Sequence, residues 1–178
     1  MPTKPGEVPY ATAGVGSFMH LGSELFKLRA GVDMLHVPFK GGGPAMVDVV
    51  AGHTKVAFAT TITTSPFIRS GKLKALGVGA LKRSVVLPEL PTIDESGVPG
   101  YDVSNWIGIV APAGTPADIV AKLHKEIETV LAFPELQKQF AARGAEVMSM
   151  SATEFGTFME KEMVKWERVV KEGRIKPE

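Results

Sequence analysis

The 178-residue chain sets 20 Lys and Arg against 19 Asp and Glu, and a formal charge of +1 gives no long-range field to gather nucleic acid or an acidic membrane surface. With 44% hydrophobic and 22% charged residues, it has the composition of a globular protein long enough to bury a core, as one domain or two small ones. Zero cysteines excludes disulfides, thiolate nucleophiles and zinc–thiolate sites while leaving the compartment open, and no apolar run reaches the length of a membrane span.

In chain order, the N-terminal MPTKPGEVPY lacks an apolar signal core, so no signal peptide is expected in the chain as given; a cleaved or omitted leader stays open. A short strand is expected over 8–12. Ser17 then opens a helix with Phe18, Leu21, Leu25 and Leu28 at helical spacing, stopped by Gly31. A second strand over 34–37 leads through Gly41, Gly42 and Gly43 to Pro44, which suits the first position of a helix ending at Gly52. A third strand over 56–60, a short helix over 65–70 opened by Pro66 and a fourth strand over 73–78 continue the alternation, which implies a parallel α/β sheet.

The texture changes over 87–101, where three prolines and two glycines mark an irregular connection; Thr92 and Glu95 within it have capping-box spacing. An apolar strand over 106–111 follows. Thr115, Pro116 and Asp118 then open a helix to about residue 131, Pro134 opens another to Arg143, and 145–148 is a further strand candidate. Ser151 and Glu154 cap a last helix to about residue 172, whose Phe155, Phe158, Met159, Met163, Trp166, Val169 and Val170 form an apolar stripe expected to face the rest of the fold.

The two glycine turns, Ala13-Gly14-Val15-Gly16-Ser17 and Lys40-Gly41-Gly42-Gly43-Pro44, each lead from a strand into a helix. Unpaired N–H groups and the positive end of the dipole at a helix N-terminus favour an anion, and glycine lets it approach the backbone. A plain strand-to-helix turn with Ser17 as its cap is the structural alternative. Catalytic readings fail on residue type and spacing. His20, His36, His53 and His124 show no metal-ligand pairing, no Gly-x-Ser-x-Gly elbow exists, and Met19 stands where a dinucleotide fingerprint needs glycine. No cofactor is expected.

The blocks YATAGVGSFMHLGSELFK, HVPFKGGGPAMVDVVAG, SGKLKALGV and LPELPTIDESGVPGYDVSNWIGIVAPAGTPADIV together resemble the tripartite tricarboxylate transporter receptors of the TctC or Bug type, in unbroken order from about Pro5. The resemblance implies a periplasmic solute-binding protein and not an enzyme. Its fold would be a type II periplasmic-binding-protein-like three-layer α/β fold that closes on a small carboxylate and passes it to a two-subunit membrane permease. It also implies that roughly the first third of the family's chain has no counterpart here. Residues 5–104 would be the solute-binding lobe, nearly complete, and 105–178 the returning part of the other lobe without its sheet partners.

Carried over residue by residue, the resemblance places the carboxylate on Thr12, Gly14, Gly16 and Ser17, with Lys40 and Gly41 from the second turn and Thr60 and Thr61 beyond the third strand. His20 matches a histidine of the first helix that could reach the cleft. Many relatives carry aspartate where this chain has Ala59, which favours a plain carboxylate over an amino acid. The apolar faces of the helices over 116–131 and 152–172 lead to the expectation of a homodimer or a repacked C-terminal part. The alternatives are a binding-incompetent remnant that acts by association and, less favoured, an anion-handling α/β enzyme.

Overall fold

The computed structural model describes residues 4–176. Strand β1 (Pro9–Thr12) is followed by α1 (Phe18–Ala30), β2 (Leu35–Pro38), α2 (Gly42–Ala51), β3 (Val56–Ala57) and α3 (Thr61–Arg69). The three strands form a parallel sheet in the order β2-β1-β3, with Tyr10 beside His36 and beside Val56. Because the chain steps to one side of β1 and then to the other, right-handed crossovers place α1 on one face and α2 on the opposite face. The strand carboxyl ends, with the turns over 13–17 and 39–41, therefore share one edge.

Local chemistry sets the element ends. Ser17 Oγ caps α1 by accepting the His20 N–H, and Gly31 closes it in the left-handed conformation with its N–H donating to Lys27 O. Gly52 closes α2 in the same way. Gly42 and Gly43 are already helical, so Pro44 stands third in α2 rather than first.

Two apolar clusters hold the sheet. Ala11, Met19, Ala45 and Met46 join Ala57, Phe67 and Leu73 beneath α2 and α3. On the α1 side, Leu25, Val98, Tyr101, Val103 and Val169 pack with Phe26, Phe58, Ile93 and Trp166. Tyr101 is 1% exposed, meets Phe26 edge-on, and donates its hydroxyl to Gly22 O at 3.1 Å.

Beyond α3, helices α4 (Ala117–Leu131), α5 (Pro134–Ala142) and α6 (Ala152–Glu172) complete the chain. The capping box expected at Ser151 and Glu154 is formed in full, and the Thr92–Glu95 pair makes both reciprocal bonds at 3.0 Å. Helix α6 reaches the core through Val169 and Trp166, while Trp106 meets Phe155 and Phe158 edge-on nearer its start. Its expected stripe is thus covered only in part, since Met163 remains exposed. No residue of α4 is buried, and Ile119, Leu123 and Val130 of its apolar side face outward.

Besides the place of Pro44, five expectations are corrected. The third strand stops at Ala57 because Phe58 turns into the aromatic cluster with Phe26 and Tyr101 and Thr60 caps a helix. That helix begins at Thr61, four residues earlier than Ser65, and encloses Pro66. The expected strand over 73–78 contributes only an isolated bridge, Val78 with Thr92, flanked by Gly77 and Gly79 in close backbone approaches. The segments over 106–111 and 145–148 form no strand pairing among the described residues; Ile107 is 93% exposed.

Candidate carboxylate site

Both glycine turns require the backbone freedom that only glycine supplies cheaply. Gly14, Gly16 and Gly41 have φ of 121°, 74° and 112°, and a Cβ on Gly14 would lie 3.3 Å from Phe39 O. The turns are knit together: Phe39 N–H donates to Thr12 O at 3.0 Å and Gly41 N–H to Ala13 O at 3.2 Å. Among the described residues, nothing accepts from the N–H groups of Val15, Phe18 and Met19 at the start of α1 or of Gly42 and Gly43 at the start of α2. Two helix N-termini with free donors therefore stand at one sheet edge, which suits an anion.

The side chains expected at the site are largely committed to the loop itself. Thr12 is fully buried; its Oγ1 accepts the Gly14 N–H at 3.3 Å and shares a hydrogen bond of 2.7 Å with His36 Nε2. Ser17 Oγ donates to Gly14 O at 2.7 Å while capping α1. His20 is buried beneath the loop, where its Nδ1 accepts the Gly16 N–H at 3.1 Å. Lys40 is exposed, with no carboxylate in ion-pair range among the described residues.

Thr60 and Thr61 stand apart in role. Thr60 Oγ1 caps α3 by accepting the Thr63 N–H and meets Thr63 Oγ1 at 3.1 Å. Thr61 presents its methyl to Gly144, where an added Cβ would lie 2.9 Å from Thr61 Cγ2. Ala59 packs against the cluster beneath α2 and offers no acceptor for an ammonium group.

Sequence reasoning missed the layer below the loop. Tyr10, His36 and His20 form a three-ring stack, with centroids 5.1 Å apart for the first pair and 3.9 Å for the second. Tyr10 donates its hydroxyl to Glu24 Oε1 at 2.5 Å, and Lys27 Nζ donates to the same oxygen at 2.9 Å. The signal existed in the parallel register that sets Tyr10 beside His36, but spacing along the chain does not reveal a register.

Burial, reinforced by His20, pushes the His36 imidazole down to about 4. Burial also lowers His20, opposed by Glu24. Burial first, and then the Glu24 hydrogen bond, raises the Tyr10 phenol. Imidazoles take up protons more readily in the unfolded chain, near about 6.5. Stability is therefore full above about pH 6.5 and falls as the pH drops toward about 4. For His36 the loss is about 2 kcal/mol after discounting for its partial exposure. Urea midpoints across that interval should fall more for the native chain than for His36→Gln, and parallel curves would refute a neutral stack.

The profile of tripartite tricarboxylate transporter family receptors matches residues 1–175. The chain belongs to this receptor family. Solved structures of similar fold include R. palustris Rpa4515 with adipate, 34% identical with a TM-score of 0.87 over 98% of this chain and 58% of that one. The periplasmic binding protein BugD is 34% identical with a TM-score of 0.82, over 98% of this chain and 59% of that one. MatC from Rhodopseudomonas palustris with bound malate is 33% identical with a TM-score of 0.80, over 93% and 57%. The receptor chain spans about half the length of most curated relatives it matches.

The periplasmic-binding-protein-like α/β class expected from the sequence is thus the class found, and the relatives are solute-binding receptors rather than enzymes. Among the described residues, no helix is long and apolar enough to cross a membrane.

Proposed function

We propose that this chain is the solute-binding part of a periplasmic receptor that takes a small carboxylate and delivers it to the membrane permease subunits of a tripartite transporter. The carrying observation is the pair of glycine turns whose free N–H groups open α1 and α2 at one sheet edge, on a fold like that of a receptor holding adipate. Backbone N–H groups of Val15, Phe18, Met19, Gly42 and Gly43 are the donors. Gly14, Gly16 and Gly41 shape the turns; Thr12, Ser17 and His20 hold the first turn from below. Lys40 adds a solvent-screened charge, and Thr60 and Thr61 border the cleft through the start of α3. Ala59 favours a plain carboxylate over an amino acid.

In this reading, residues 5–104 are the solute-binding lobe and 105–178 belong to the second lobe, the last two lying outside the described residues. The outward apolar side of α4 is covered by a second copy of the chain. Measured on this stretch by itself, which covers 58% of the adipate-bound relative, affinity is expected nearer about millimolar than about micromolar, a difference of roughly 4 kcal/mol. Native mass spectra with a panel of mono-, di- and tricarboxylates test both points. A dimer carrying one carboxylate per chain is the expected species; a dimer that retains none would favour the remnant that acts by association, for which exposed α4 is the supporting observation.

Replacing Lys40 by alanine is expected to weaken adipate binding by only about two- to fivefold, the scale of one exposed charge contact. A calorimetric loss of about a hundredfold would instead make Lys40 the principal anchor.

A further inference from the structure

We propose that His20 and His36 are positioning residues for the glycine loop, and that protonating them lowers carboxylate affinity. The inference rests on the reading of that loop as a carboxylate site. Each glycine amide of the loop is held by a group tied to an imidazole: Gly16 N–H by His20 Nδ1 at 3.1 Å, and Gly14 N–H by Thr12 Oγ1, itself 2.7 Å from His36 Nε2. A nitrogen that accepts a hydrogen bond carries no proton, so neutral His20 is protonated at Nε2. A second proton can enter only at Nδ1, and it displaces the Gly16 amide. The turn that presents Val15, Phe18 and Met19 then loses its support.

The stack makes the two rings one unit. Their planes lie 7° apart with centroids 3.9 Å apart, so a charge on either disfavours a charge on the other. Facing them are Tyr10 from β1 and Glu24 and Lys27 from α1. Lys27 also lies 3.7 Å from Asp33 in the turn before β2. The end of α6 meets Glu24 at Gly173, which has no titratable side chain.

Glu24 Oε1 lies 3.9 Å from His20 Nε2 but already accepts from Tyr10 and Lys27, so it is a shared counter-charge. An imidazolium would also attract a bound anion. That attraction acts from a ring buried beneath the loop, whereas displacement of the Gly16 amide acts on the loop directly, so affinity falls with acid.

Adipate binding is measured by calorimetry between about pH 7.5 and about pH 4.5 for the native chain, His20→Asn and His36→Gln. Adipate's own protonation is common to all three and cancels in ratios of dissociation constants. The expected result is that native affinity falls at least about threefold more than that of either variant. Ratios that stay flat, or that favour the native chain in acid, overturn the proposal.

Amide spectra of the ligand-free native chain over the same range supply an independent readout, and their dispersion confirms that the fold persists. The Gly16 and Gly14 signals should move with the imidazole carbon shifts. Glycine signals that ignore the imidazoles overturn the positioning role even if adipate binds. Absence of adipate binding at every pH, with the glycine signals still following the imidazoles, overturns the adipate reading and upholds the coupling of the histidines to the loop.

Discussion

Truncating Tyr101 to alanine is expected to destabilise the fold by about 3–5 kcal/mol, the range for removing a large buried aromatic. The ring packs against both Phe26 and Phe58, which also touch each other, in the cluster where α1, the 93–103 segment and α6 meet. Its removal leaves a void that rigid backbone on several sides cannot fill. Gly79 already sits so close to Val103 that a Cβ there would fall 2.8 Å from its carbonyl oxygen. Tyr101→Phe, which loses only the bond to Gly22, should cost about 1 kcal/mol. Urea unfolding followed through Trp106 and Trp166 separates the two variants, and equal midpoints would show that the ring is not what holds α6 to the sheet lobe.

Gly14→Val is the substitution expected to do most to ligand binding. At φ of 121° the valine is strained wherever its side chain goes, and its Cβ begins 3.3 Å from Phe39 O. The strain of about 1–3 kcal/mol is relieved by moving the turn, which carries the Val15 amide and the start of α1 away from the start of α2. Two charge-assisted hydrogen bonds at roughly 1.5–3 kcal/mol each are then misdirected, and adipate affinity should fall by about a hundredfold or more. The stability loss should stay near the strain itself. A variant that binds adipate within about threefold of the native chain would place the ligand elsewhere.

Most helix ends were legible in the sequence because their signals are local; the start of α3 and the place of Pro44 in α2 were not. Ser17, Gly31, Gly52, Ser151 and Glu154 act within a turn of their own positions, and each performs as its residue type suggests. The first two strands were legible from the alternation of apolar runs and glycine turns. The later strands were not, because an apolar run becomes a strand only when a partner edge exists. The 106–111 segment has the side chains for a strand but no neighbouring strand among the described residues, and β3 ends where Phe58 leaves for the aromatic cluster.

At the candidate site, the glycine turns were visible from composition alone. The division of labour inside them was not: Thr12, Ser17 and His20 resemble ligand groups by type, yet their polar atoms serve Gly14 and Gly16. Which hydroxyl faces inward depends on where β2 places His36, and that is a matter of tertiary register.

Val169 closes a cluster whose other buried members lie between Leu25 and Val103, and this has a consequence for biosynthesis. A growing chain can assemble the three-stranded sheet and its two clustered faces early, but Leu25, Tyr101 and Val103 keep an uncovered apolar seam until the last helix emerges. At about 5–20 residues per second the intervening 66 positions, from Val103 to Val169, take roughly 3–13 seconds to add. Throughout that interval the nascent chain presents a surface that chaperones bind and that neighbouring nascent chains can join. Truncation before Val169 would make that transient exposure permanent, although the loss lies in the last helix and not in the glycine turns themselves.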